Sequence, residues 1–186
     1  MNGPEGLLCE LSTAHRAVEA LLRRLDAVHA RGEHAVSDGH RVLAELDRVL
    51  DEHLTVEETY FHPLVRRHLP AGRALADAAV HTHTTVRRLL ARAMDERLPA
   101  ADRAHCTGAL LVVLRAHLAG ENERLFPLVR AAVPAAELRR CADRLAEARQ
   151  DRPGSPVWGL PPGTGAIASV RDRFTGHDSA NRPHSP

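Results

Sequence analysis

The chain has 186 residues, 44% apolar, 26% charged and 3% aromatic, and its 25 basic and 24 acidic side chains leave a formal charge of +1. That length suits one domain with a substantial core, and a balanced, interspersed charge speaks against a surface built to grip nucleic-acid phosphates. No apolar run approaches the roughly 20 residues of a membrane span, and Met1 to Glu10 lacks the basic-then-apolar order of a secretion signal, so a cytoplasmic protein with no nucleic-acid or membrane partner is expected.

Abundant Ala, Leu, Arg and Glu with few β-branched or aromatic residues favour helix throughout the first 150 residues. Apolar positions recur at helical spacing over about 5–30, closed by Gly32, and over about 37–68, closed by Pro70. They recur again over about 72–97, ahead of Pro99, and over about 101–132, ahead of Pro134. A shorter stretch at about 135–150 carries Leu138, Cys141 and Leu145 on one stripe. Four long helices with short connections predict an all-α, antiparallel four-helix bundle over 5–133, followed by a short fifth helix over 134–150. Residues 151–186 hold six of the twelve prolines and five of the twelve glycines, which predicts a flexible C-terminal tail. Val157, Trp158 and Leu160 are its one apolar knot. The three cysteines, Cys9, Cys106 and Cys141, are widely spaced and read as reduced structural thiols.

The strongest signal in the chain is an internal repeat. The run His53-Leu-Thr-Val-Glu57-Glu-Thr-Tyr-Phe-His-Pro-Leu-Val-Arg66 aligns without gaps to His117-Leu-Ala-Gly-Glu121-Asn-Glu-Arg-Leu-Phe-Pro-Leu-Val-Arg130, with seven identities in fourteen positions. The ten residues from His15 align to the ten from His83 with five identities. The second and fourth helices are therefore copies, as are the first and third, and two duplicated hairpins form a bundle with approximate two-fold symmetry.

Beyond Leu and Pro, the copies share His15, His53 and Glu57 in one half and His83, His117 and Glu121 in the other. Residues four apart on a helix lie about 40° apart around the axis and roughly 6 Å along it, so each His-x-x-x-Glu pair projects from one face. If those faces turn inward, four imidazoles and two carboxylates converge at one level. Imidazole nitrogens and carboxylate oxygens suit Fe, Mn, Zn or Cu, and a carboxylate between two cations can bridge them. Burying Glu57 and Glu121 without a cation would be strongly unfavourable. The lack of cysteine in the set argues against structural zinc, which leaves a pair of irons as the first expectation.

The His near the start of the first helix, the His-x-x-x-Glu-Glu run at His53 to Glu58, and His117-x-x-x-Glu121 ahead of Leu125-Phe-Pro-Leu128 resemble the hemerythrin-like, or HHE cation-binding, domain family. The resemblance covers about 8–133. It implies a non-haem di-iron centre, oxo- or hydroxo-bridged, that reacts with O2, peroxide or nitric oxide. Its ligands would be His15, His53, Glu57, His83, His117 and Glu121, and an electron-donor protein is a possible partner. His81 competes with His83, but only His83 is followed by Val at +3 and Leu-Leu at +6 and +7, as His15 is. The oxygen-carrying hemerythrins use a fifth His from an i, i+4 pair that His81 and His83 do not form.

By coordination count, four His and two bridging Glu give each iron four protein ligands; a bridging oxygen adds a fifth and leaves one open position on each. That count favours sensing or oxidative defence over stable O2 carriage. A di-iron oxidase or oxygenase acting on an organic substrate, and an iron-responsive interaction protein, are the alternatives. Glu58 reads as a neighbour of the ligands or as solvated, and Tyr60 as packing or as a donor of a hydrogen bond or an electron near the irons. His62, which stands where the other copy has Phe126, reads as a substitution at the edge of the core. His29, His34, His40, His68 and His105 have no mates in the repeat and read as surface residues, and His177 and His184 lie in the tail.

Overall fold

A computed structural model describes residues 6–31 and 36–151, and helix accounts for 92% of them, with no strand. The α-helical segments are α1 (Gly6–Ala30), α2 (Val36–Val56), α3 (His62–His68), α4 (Gly72–Met94), α5 (Ala100–Gly120), α6 (Phe126–Ala132) and α7 (Ala135–Asp151). A five-residue π-helical turn, Glu57–Phe61, joins α2 to α3, and a second, Glu121–Leu125, joins α5 to α6. The described residues thus make five rods: α1, α2 with α3, α4, α5 with α6, and α7. The rod α1 packs on α2 and α5, α4 packs on α2 and α5, and α7 lies along α1.

The stripe that each rod buries explains both the packing and the placement of the polar residues. On α1 the buried positions run Leu7, Leu11, His15, Val18, Leu22 and Leu25, steps of three and four that keep one face toward the centre. On α4 they run Ala76, His83, Val86, Leu90 and Ala93. The histidines occupy core-facing positions of otherwise apolar stripes. Two apolar clusters result. One gathers Leu7, Leu11, Phe61, Leu64, Phe126, Val129, Leu138 and Leu145; the other gathers Val18, Leu22, Leu46, Leu54, Leu90, Leu110 and Leu114. A polar layer lies between them.

Prolines and glycines set the turns. Pro63 and Pro127 each stand at the first turn of the segment that follows a π turn. A proline ring clashes with the carbonyl four residues back and supplies no N–H, and a turn widened by one residue relieves both problems. A Cβ on Gly72 would fall 1.9 Å from the Val65 carbonyl oxygen, so the tight passage from α3 to α4 needs the missing side chain there.

The helix expected to reach about 97 stops at Met94. The Arg97 N–H donates to Asp95 Oδ1 at 3.0 Å, a local side-chain bond that competes with the helical one. The short fifth helix lies along the same core as the others: Leu138, Cys141 and Leu145 are all buried in the first cluster, and Arg149 reaches Glu10 at 2.8 Å and Glu52 at 2.9 Å. Asp151, the first residue of the expected tail, closes α7 instead; the rest of the tail lies outside the described residues, as do Trp158, His34, His177 and His184. Cys106 and Cys141 are buried free thiols, and Cys9 is an exposed one.

Truncation of Leu145 to Ala should destabilise the whole chain by about 2–5 kcal/mol in urea denaturation, the usual range for emptying a fully buried leucine site. A loss under about 1 kcal/mol would mean that α7 melts apart from the rest.

Candidate metal centre

Each of the four central rods places at least one imidazole in the polar layer. His15 comes from α1, His53 from the last turn of α2, His83 from the middle of α4 and His117 from the last turn of α5. Glu57 and Glu121 open the two π turns. Five of the six are buried by residue, and the His117 side chain is only 5% exposed.

Glu57 stands at the centre. Its Oε1 lies 3.0 Å from His53 Nε2 and 3.5 Å from His15 Nε2, while its Oε2 lies 3.1 Å from His83 Nε2 and 3.5 Å from His117 Nε2. One carboxylate therefore divides four imidazoles into two pairs. Within each pair the rings meet edge to face, His15 with His53 at 4.9 Å and 83°, His83 with His117 at 5.0 Å and 86°. Glu121 Oε2 takes one member of each pair, His15 at 3.3 Å and His117 at 3.8 Å.

The outer nitrogens of two of these rings are held from the opposite half of the repeat. His83 Nδ1–H donates to Glu58 Oε1 at 2.8 Å, and Arg87 binds the same oxygen at 2.9 Å. His15 Nδ1–H donates to Asn122 Oδ1, also at 2.8 Å. Glu58 and Asn122 are matched positions in the repeat. Each bond directs the Nε2 of its ring inward, the orientation that a metal-binding imidazole needs.

The electrostatics follow from packing like and unlike charges without water. Burial works against the charged form of His15, but Glu121 and Glu57 outweigh it and raise the ring to about 9. Burial likewise opposes the charge on His83, and Glu57 with Glu58 raises it to about 9. Glu57 is held well below the carboxylate range: burial would raise it, but His53, His117 and His15 prevail. Burial and the Glu57 charge together push Glu121 up to about 7. Two carboxyl groups side by side cannot both ionise at no cost, so their titrations split. Burial lowers His53, and it lowers His62 to about 4.

The donor set fits a cation. Among the described residues, the Nε2 atoms of His15, His53, His83 and His117 and all four oxygens of Glu57 and Glu121 are buried without an aligned hydrogen bond. Buried polar atoms are nearly always satisfied, and here their lone pairs converge instead. His15, His53, Glu57 and Glu121 bring ligand atoms within 4.8 Å of one another, and so do Glu57, His62 and His83. The model of the hemerythrin HHE cation binding domain matches residues 8–129. The chain belongs to the hemerythrin HHE family. Searches of curated proteins and of solved structures find no match. The HHE region contains all six residues expected from the sequence; α7 lies beyond it.

His81 is exposed on α4, away from this layer. His29 and His105 are exposed, and His40 and His68 lie part-buried beside Glu96 and Glu137. Tyr60 packs in the first apolar cluster, with the Arg144 guanidinium 5.7 Å from its ring centroid.

His62 requires a correction. The reading as a core-edge substitution fails, because the ring is 0% exposed and lies in the polar layer beside Glu57 and His83. At 100° per residue His62 would sit about 140° round from Glu57. The π turn instead closes a bond from the His62 N–H to the Glu57 carbonyl, five residues back, and returns His62 to the face of Glu57. Pro63 stands just after this turn, but a proline only disrupts helical bonding and does not by itself specify a widened turn.

Two outcomes are expected. Glu58→Ala should weaken metal binding by about 10–100-fold, the usual loss when a ring's outer partner is removed, and competition against a chelator measures it. Unchanged affinity would show that Glu58 does not orient His83. In the metal-free protein, His15 and His83 stand at about 9 against an ordinary 6.5, so the stability they lend is complete below 6.5 and lost as pH rises through 9. Glu121, raised from 4.5 to about 7, works with the same sign at lower pH. The Tm of metal-free protein, followed by circular dichroism, should therefore fall between pH 6.5 and pH 9; a rise over that interval would contradict the charge arrangement.

Proposed function

We propose that this chain is a non-haem di-iron protein that binds and reacts with O2, peroxide or nitric oxide, in sensing or in oxidative defence. The observation that carries the reading is the division of the imidazoles by Glu57, whose two oxygens face different pairs. A carboxylate so placed suits two cations rather than one. His15 and His53 would hold one iron, His83 and His117 the other, with Glu57 between them and Glu121 shared. On this reading the four long rods form an antiparallel bundle around the centre. Imidazole and carboxylate without thiolate suit iron that changes between ferrous and ferric states, and that change is the chemistry the bound pair would supply.

The residues of the chain prepare the place. The two apolar clusters exclude water from both sides, which strengthens every electrostatic interaction between them. Glu58 and Asn122 fix the tautomers of His83 and His15, so that no proton blocks the inward nitrogens when metal is bound. A cleft of about 270 Å³ between α1 and α5 is lined by Glu19, Leu22, Arg115, Leu118 and Asn122, and it reaches the residue that holds His15. Electrons to reset the irons would come from a separate donor protein.

Protein purified from iron-replete cells should carry two irons per chain, and its reduced form should react within a stopped-flow trace with at least one of O2, peroxide and nitric oxide. Zinc alone, a single iron, or a reduced protein inert to all three would overturn the reading. Glu57→Gln should reduce iron content to one per chain or less while leaving the helical circular dichroism in place.

A further inference from the structure

We propose that His62 is a seventh protein ligand of the centre, binding the metal beside His83 and making the two halves of a duplicated site chemically unequal. This rests on the di-iron reading above and adds to it a residue that the two-fold repeat does not supply.

The first support is the state of the ring. His62 is fully buried, and neither of its nitrogens has a hydrogen bond to any described residue. A buried polar group without a partner is destabilising, a penalty that phenylalanine at the same place would avoid. The same chain shows that phenylalanine serves there: Phe126 holds the matched position in the second copy. Phe126 stacks on His15 with centroids 5.1 Å apart and planes at 20°, and His62 stacks on His83 at 5.3 Å and 25°. The stack is common to both halves, so packing accounts for the shape of the ring and leaves its two nitrogens unexplained.

The second support is where those nitrogens lie. His62, Glu57 and His83 each bring one ligand atom within 4.8 Å of the others. The π turn after Glu57 creates that meeting, and the equivalent turn after Glu121 brings Phe126, which has no donor atom, to the corresponding place. The metal beside His83 would then have three imidazoles, from His62, His83 and His117, and the metal beside His15 only two, from His15 and His53. A small exogenous ligand would find its free position on the His15 side.

The test loads metal-free protein anaerobically with ferrous iron in its Mössbauer-active isotope. Wild-type protein should show two distinct iron doublets of equal area. His62→Phe, which copies the other half of the repeat, should draw the doublets together and weaken binding of one of the two ions by at least about 10-fold, the lower bound for a disturbed ligand shell. Circular dichroism of that variant should remain helical, since Phe126 already fills the equivalent space. His62→Ala gives the independent check: added free imidazole should occupy the vacated volume and restore the wild-type spectrum, a rescue that a packing role cannot produce. Wild-type doublets and affinities in His62→Phe, or no effect of imidazole on His62→Ala, would overturn the proposal and leave the di-iron reading standing. Wild-type protein that takes up no iron would overturn both.

Discussion

A fully buried carboxylate among four imidazoles governs the interior of this protein. Glu57 lies between two apolar clusters with no water-facing surface, where an isolated negative charge would prevent folding. What makes the position tenable is positive charge: protons on His15 and His83 when no metal is present, and cations when it is. The histidines cannot compensate Glu57 unless all four rods are aligned along their axes to bring the rings to one level. The polar layer therefore specifies the register of the helices, which the apolar stripes alone, being periodic, would leave free to slip by a turn.

Duplication accounts for much of this economy, and departures from it are where chemistry becomes specific. The edge-to-face pairs, the π turns, the following prolines and the stacked rings recur in both halves. The outer partners do not. His83 donates to a carboxylate already bound by Arg87, whereas His15 donates to a neutral amide. A charged acceptor makes its imidazole the stronger electron donor, so the two imidazole pairs differ before His62 is considered. With Phe126 on one side and His62 on the other, the asymmetry runs in a consistent direction: more donor strength gathers on the His83 side.

The wide turns link backbone to chemistry. Each opens on a glutamate of the centre and precedes a proline, and each shifts the phase of the remaining helix by about one residue. Without that shift, His62 would turn from the centre. A π turn is less favourable than an α turn and persists where surrounding contacts demand it; here the proline ring and the polar layer both do.

The helical stretches, the repeat and the set of His15, His53, Glu57, His83, His117 and Glu121 were legible from residue order alone, because helical periodicity converts spacing into faces and a repeated pattern removes chance matches. The choice between His81 and His83 was legible for the same reason, through the residues that follow each. Residue order could not reach His62, since spacing predicts a face only while every turn holds 3.6 residues, and one π turn carried it from the wrong side of the helix to the right one. Nor could it reach the exchange of Glu58 and Asn122 between halves, or the end of α4 at Met94, which a side-chain bond at Asp95 decides. Those depend on how far one rod slides along another and on which local bond prevails, and only the assembled structure sets both.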